Sequence, residues 1–393
     1  MHSKDLTDRF VRNEREAGIV ARTDQLANIF AERSTKHDRE GSFPHENFAD
    51  MRKHGYMKLT VPAQYGGDEA SLYEMLLAQD HLARGDGSTA LAVGWHLGQV
   101  MQLRLSRSWP ESLFSSFCKE IVDKGATINH YASERATGSP SRGGKPETAA
   151  YKTAGGFIIT GRKTYSTLSP AVSYFTLTAW IEEEGRVGEF LVPMGEGVHI
   201  EETWDTLGMR ATGSHDLVLK DLFVPDPCSL RGGEIKRSGD TPFDGGTLLH
   251  IPACYIGIAH AARDFAIQFA KKHRPNSLPG PIAELPSIQR QIGEMEVELI
   301  SARTVLYSVA DRFDRDSVEE RSLLKPELAL AKYVATNAAV RIVDIAMRIV
   351  GGASLSRQLP LERMYRDVRA GLHNPPMDDI TLNGLARRAL TEG

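Results

Sequence analysis

The sequence predicts a multi-domain, mainly α protein in three consecutive parts: an N-terminal all-α domain (1–126), a middle β-barrel (127–230) and a C-terminal four-helix bundle (231–393). Three observations predict it. Apolar residues recur at helical spacing from Asp8 to about Gly125. Between Thr127 and Pro225 the pattern changes to short β-like runs separated by glycines. After a loop rich in glycine and polar residues (231–246), helical periodicity returns over longer segments. With 393 residues, 41% of them hydrophobic, the chain can fill two or three packed units.

In the first part, His45 to His54 places Phe48 and Met51 on one helical face and Gly55 where a helix should stop. Ser71 followed by Glu74 reads as a capping box. In the middle part, Phe157-Ile158-Ile159, the run Tyr174 to Trp180 and Val218-Leu219 read as strands, with Gly155-Gly156, Glu184-Gly185 and Gly195 as the turns between them. In the third part, Ile288, Ile292, Met295, Leu299, Ala302, Leu306, Val309 and Phe313 form the seam of a long helix. A second helix runs from Pro326 to Val350, closed by Gly351-Gly352. Leu248 to Lys272 and Ile380 to Leu390 supply two more, enough for a four-helix bundle.

Charge excludes some partners. The net charge of -4, from 47 basic and 51 acidic side chains spread along the chain, provides no basic stripe for nucleic acid. The uncharged run Gly87 to Leu103 falls short of the roughly 20 apolar residues that span a bilayer. Lys4, Asp5, Asp8 and Arg9 stand where a secretory signal would need an apolar core. Cys118, Cys228 and Cys254 are far apart and odd in number, so neither disulfides nor a metal site is expected, and a cytoplasmic location is.

The stretch from Ser133 to Thr167 carries the most chemistry. Ser133-Glu134-Arg135-Ala136-Thr137-Gly138-Ser139 is followed by Gly155-Gly156 and the run from Phe157 to Thr167. Hydroxyls, glycines and an aromatic alternate here in a way that suits a flat, hydrogen-bonding ring.

Five motifs in order resemble the acyl-CoA dehydrogenase superfamily, over nearly the whole chain. Phe43-Pro44 with Glu46, Phe48, Gly55, Val61-Pro62 and Tyr65-Gly66-Gly67 is similar to its N-terminal signature. Ser133 to Ser139 is similar to T-E-P-x-x-G-S-D, and Gly155 to Thr167 to G-G-[YF]-x-[LI]-x-G-x-K-x-W-I-[TS]. Leu207-Gly208-Met209-Arg210 with Val224-Pro225 is similar to L-G-x-R and V-P, and Pro360 to Asp367 to P-x-E-R-x-x-R-D. The resemblance implies a flavin, FAD with FMN as the alternative. On it, Ser133, Ser166 and Thr167 offer donors to the ring, Tyr165 replaces the family's tryptophan, and Gly138 and Ser139 meet the pyrophosphate. Gly351 and Gly352 match a pair that approaches a neighbouring subunit's dinucleotide, and Arg274 a phosphate-holding arginine, which implies a homo-oligomer, tetramer or dimer.

The resemblance also implies α,β-dehydrogenation of an acyl-CoA thioester, with hydride passing to flavin N5 and a general base facing the ring. The family's usual glutamate would stand near Pro375, and its alternative position near Thr247-Leu248; neither holds a carboxylate. Asp378, Asp379 or His373 is expected to take over. Alternatively, Leu372-His373-Asn374-Pro375 is similar to L-H-D-P of the dibenzothiophene monooxygenase group, where His96 also matches an active-site histidine. That implies a two-component monooxygenase using reduced flavin and O2. A non-catalytic flavin-binding protein is a third reading. Expected partners are an acyl-CoA or other small apolar substrate, and an electron-accepting flavoprotein or a flavin reductase.

Overall fold

A computed structural model describes residues 9–137, 144–228, 230 and 246–392. Five helices come first: α1 (Glu14–Glu40), α2 (His45–Lys53), α3 (Leu72–Gly85), α4 (Gly87–Ser106) and α5 (Glu111–Lys124). The Ser71 capping box forms, with Ser71 Oγ accepting from the Glu74 N–H at 3.2 Å and Glu74 Oε2 accepting from the Ser71 N–H at 3.0 Å. Phe48 and Met51 of α2 are buried, as its periodicity requires.

Seven strands follow: β1 (Ile128–Tyr131), β2 (Ala149–Thr153), β3 (Gly156–Ser166), β4 (Tyr174–Ile181), β5 (Arg186–Pro193), β6 (Val198–Glu201) and β7 (His215–Pro225). They form one curled sheet, a half-barrel, in the order β1-β4-β2-β3-β7-β6. β1 and β2 share one edge of β4, parallel to its two halves, while β5 runs antiparallel along the other edge. Phe157 and Ile159 of β3, Phe175, Leu177 and Ala179 of β4, and Leu217 and Leu219 of β7 point into the core at period two. Gly155 makes the β2–β3 turn at φ +77°, a conformation glycine adopts without a Cβ penalty.

The C-terminal part holds α6 (His250–Lys272), α7 (Pro286–Arg315), α8 (Val318–Leu323), α9 (Lys325–Val350), α10 (Leu361–Arg369) and α11 (Asp378–Glu392). Helix α9 packs against both α6 and α7, and α6 also lies on α3, so the bundle and the N-terminal helices share a core. Met295, Leu299, Ala302, Leu306, Val309 and Phe313 of α7 are buried, while Ile288 and Ile292 are half-buried. Helix α11 lies along α9 with most side chains exposed, Ile380, Leu382 and Leu390 among them; α10 adds cover on α9 and α6.

Two polar clusters join the parts. In the first, buried Asp80 of α3 meets Arg303 Nη2 of α7 at 2.9 Å and accepts from Tyr307 Oη at 3.0 Å. In the second, Arg366 of α10 clamps Asp38 of α1 through two bonds of 2.9 and 2.6 Å, and donates to the Leu207 carbonyl. Beside it, Asp367 Oδ1 accepts from the Met209 N–H at 2.6 Å. Among the described residues no helix is long and apolar enough to cross a membrane, and no group of three His, Cys, Asp or Glu could hold a metal ion.

Candidate functional site

The Ser133 segment and β3 come together as one surface because a buried ion pair joins them. Lys163 of β3 and Glu134 are 0% and 1% exposed, and Lys163 Nζ lies 2.5 Å from Glu134 Oε1. Glu134 also accepts from the N–H groups of Glu147 and Thr148 and from Thr148 Oγ1. Burial pushes its carboxyl up, yet the Lys163 and Thr148 hydrogen bonds outweigh that and hold it low, while burial pushes the Lys163 ammonium down against the pull of Glu134. The Ser133 carbonyl completes the link by accepting from the Thr164 N–H at 2.9 Å. The sequence does not mark this clamp, because Glu134 and Lys163 stand 29 residues apart in separate motifs.

Next to the clamp lies a local break in β3. Its register against β7 shifts between Lys163 and Ser166, and Tyr165 takes φ +54°. A non-glycine residue in the left-handed region is uncommon, and Glu69, Arg107, Leu168, Met209 and Asp221 are the others among the described residues. Tyr165 projects its ring 70% into the open, edge-on to Trp204 at 5.9 Å. Its two neighbours turn inward. Thr164 Oγ1 and Ser166 Oγ are buried without a hydrogen-bond partner. Each such hydroxyl costs about 1–3 kcal/mol unless a ligand or water satisfies it.

The end of the floor is fixed more firmly. The Thr167 carbonyl accepts from Asn129 Nδ2 and Tyr131 Oη, both at 2.9 Å, and Thr167 Oγ1 lies 2.8 Å from Ser214 Oγ. Ser133 is half-buried beside Thr164. This donor set fits a flavin ring: orphaned hydroxyls flank a displayed aromatic on a rigid strand. Gly138 and Ser139 lie outside the described residues.

The other expected residues are dispersed. His96 is fully buried, its Nε2–H donating to the Met57 carbonyl at 2.9 Å and its Nδ1 accepting from the Ile128 N–H at 3.1 Å. Both ring nitrogens are used, and burial pushes its pKa down to about 4. Through these two bonds His96 joins α4 to the Met57 carbonyl and to β1. Asp378 is also bonded within the chain. Its Oδ1 accepts from buried Lys332 Nζ at 3.3 Å and its Oδ2 from Asn337 Nδ2 at 2.9 Å, so the carboxylate ties α11 to α9. His373 is exposed, on a loop held by the Tyr255 hydroxyl donating to Asn374 Oδ1 at 2.6 Å. Arg274, Gly351 and Gly352 are also exposed. Gly351 caps α9 at φ +70°, and a Cβ on either glycine would meet nothing within 4 Å.

Comparison with known proteins gives three consecutive family matches: "Acyl-CoA dehydrogenase, N-terminal domain" over residues 20–107, "middle domain" over 130–222 and "C-terminal domain" over 248–390. A Bacillus subtilis (strain 168) protein named "Putative acyl-CoA dehydrogenase YdbM" is 47% identical over 97% of this chain and 98% of its own. The L-evernosamine nitrososynthase of a Micromonospora strain is 29% identical over 90% of this chain and 84% of its own. Among solved structures, KijD3 in complex with FMN and a dTDP-amino-keto sugar superimposes with a TM-score of 0.86 at 26% identity, covering 96% of this chain and 94% of that one.

Proposed function

The chain belongs to the acyl-CoA dehydrogenase family, and from that premise we propose a flavin-dependent oxidoreductase that dehydrogenates an acyl thioester between Cα and Cβ, with His373 taking the α-proton. The observation that carries the cofactor is the pair of orphaned hydroxyls, Thr164 Oγ1 and Ser166 Oγ, on either side of left-handed Tyr165. When bound, the flavin supplies a hydride acceptor. The chain's residues do the rest. Ser166 and Thr164 donate hydrogen bonds where charge develops, Tyr165 covers the ring, and the Glu134–Lys163 pair keeps all three from shifting.

FAD is the reading that the family supports, with Gly138, Ser139 and Arg274 on its phosphates and Gly351-Gly352 of a neighbouring subunit against it. The match of exposed Gly351-Gly352 to the family's pair supports that contact and hence a homo-oligomer, dimer or tetramer. The acyl thioester is supported by the likeness, across both full lengths, to a protein named for that activity. His373 is supported by its place in Leu372-His373-Asn374-Pro375 on an exposed loop, whereas His96 and Asp378 are bonded within the chain; exposed Asp379 is the alternative base. The electron acceptor in this reading is a flavoprotein.

One observation favours a second reading. Neither family position for the base holds a carboxylate, and relatives include a nitrososynthase. A monooxygenase supplied with reduced flavin by a separate reductase would use His373 as a proton donor instead. Substrate α-proton exchange separates the two. With butanoyl-CoA or hexanoyl-CoA in deuterated water, the flavin-loaded protein should wash deuterium into Cα, and His373→Asn should slow this about 10²–10⁴-fold at unchanged flavin content. Exchange at the original rate in the variant would remove His373 from the role.

A further inference from the structure

Helix α6 opens with a histidine that nothing in the chain satisfies. His250 is 1% exposed, and neither Nδ1 nor Nε2 has a hydrogen-bond partner. Burial pushes its pKa down to about 3, so the ring is neutral and presents one donor and one acceptor. Gln79 of α3 repeats the pattern: it is fully buried, its Nε2 donates to the Ala90 carbonyl at 2.8 Å, and its Oε1 is unpartnered.

The two side chains meet at a glycine. A Cβ on Gly94 of α4 would fall 2.2 Å from Gln79 Nε2 and 2.5 Å from His250 Nδ1. One turn later, a Cβ on Gly98 would stand 3.2 Å from His250 Cδ2. Each glycine inside a helix costs about 1 kcal/mol relative to alanine, and both face this imidazole. Half-buried Trp95 closes one side edge-on, with ring centroids 5.0 Å apart. The place is central. On α4, His96 holds β1, whose Asn129 and Tyr131 hold the Thr167 end of the floor. Five residues along α6, Tyr255 anchors the loop that bears His373.

The geometry points to His250 and Gln79 as a polar subsite that receives a hydroxyl group on the acyl portion of the substrate. A hydroxyl accepts from the imidazole N–H and donates to Gln79 Oε1; a methyl group at the same place leaves those atoms unsatisfied. The substrate class is then a hydroxyacyl thioester rather than a plain alkyl one, and the inference rests on the acyl-thioester reading above.

Binding tests it without requiring turnover. The flavin-loaded protein is titrated with 4-hydroxybutanoyl-CoA against butanoyl-CoA, and 6-hydroxyhexanoyl-CoA against hexanoyl-CoA, following the perturbation of flavin absorbance. At least one hydroxylated ligand should bind 10-fold or more tightly than its partner, and both His250→Phe and Gln79→Met should abolish the preference. His250→Phe should also leave the thermal midpoint unchanged or higher, because it removes orphaned polar atoms. Equal binding of each pair by the original protein overturns the subsite but leaves the thioester reading standing. A preference that survives both variants, or a lowered His250→Phe midpoint with no preference to lose, also overturns it. Binding of none of the four ligands overturns both.

Discussion

Three histidines show what a side chain's partners decide. His96 has both nitrogens bonded, His250 neither, and His373 is exposed on a loop. In the sequence, His96 matches a motif and His250 matches none, because hydrogen-bond satisfaction depends on elements that the chain brings together only on folding. His96 therefore contributes to stability. Its folded pKa, about 4, lies below the unfolded value of roughly 6.5, so its contribution is present above pH 6.5 and lost as pH falls through 4. His96→Leu should lower stability at pH 7.5 by on the order of 2–4 kcal/mol, leaving the Met57 carbonyl and Ile128 N–H unpaired, and should flatten the fall in thermal midpoint between pH 6.5 and 4. The Ser133 to Thr167 hydroxyls were legible because they lie in two short motifs. The Asp378–Lys332 pair was not, since its members lie on different helices and nothing local marks them as partners.

At the scale of elements, the strand and helix pattern was readable wherever periodicity was strong: β3, β4, α7 and α9 stand where the sequence places them. Short β1 and β6, with four residues each, carry too little alternation to be seen. The L-G-x-R and R-D motifs were recognisable, but that they meet was not. Arg366 and Asp367 of α10 grip the Leu207 to Met209 loop, and Asp367 is fully buried with Asp38 and Asp86 nearby. Burial raises its pKa to about 7, above the unfolded carboxylate range. Its contribution to stability is thus greatest below about pH 4 and lost as pH rises through 7. Asp367→Asn should remove that component, so that the difference in thermal midpoint between variant and original protein shifts in the variant's favour from pH 5 to pH 8.

At the scale of the molecule, the N-terminal helices and the bundle are joined by Asp80, Arg303 and Tyr307, a cluster in which the Arg303 charge holds the Asp80 carboxyl well below its ordinary range against the burial that opposes it. Removing one partner leaves a buried charge uncompensated. Arg303→Met should cost about 3–5 kcal/mol in chemical denaturation, more than an exposed pair such as Arg341–Glu298, which is worth under about 1 kcal/mol. The dehydrogenase reading requires the floor around Tyr165 and the loop bearing His373 to act on one substrate. Anaerobic titration of the FAD-loaded protein with acyl-CoAs from short to long chain tests that most directly. Bleaching of the flavin band is expected with at least one of them; no bleaching with any, together with oxygen from O2 appearing in a product when reduced flavin is supplied, would overturn the dehydrogenase reading.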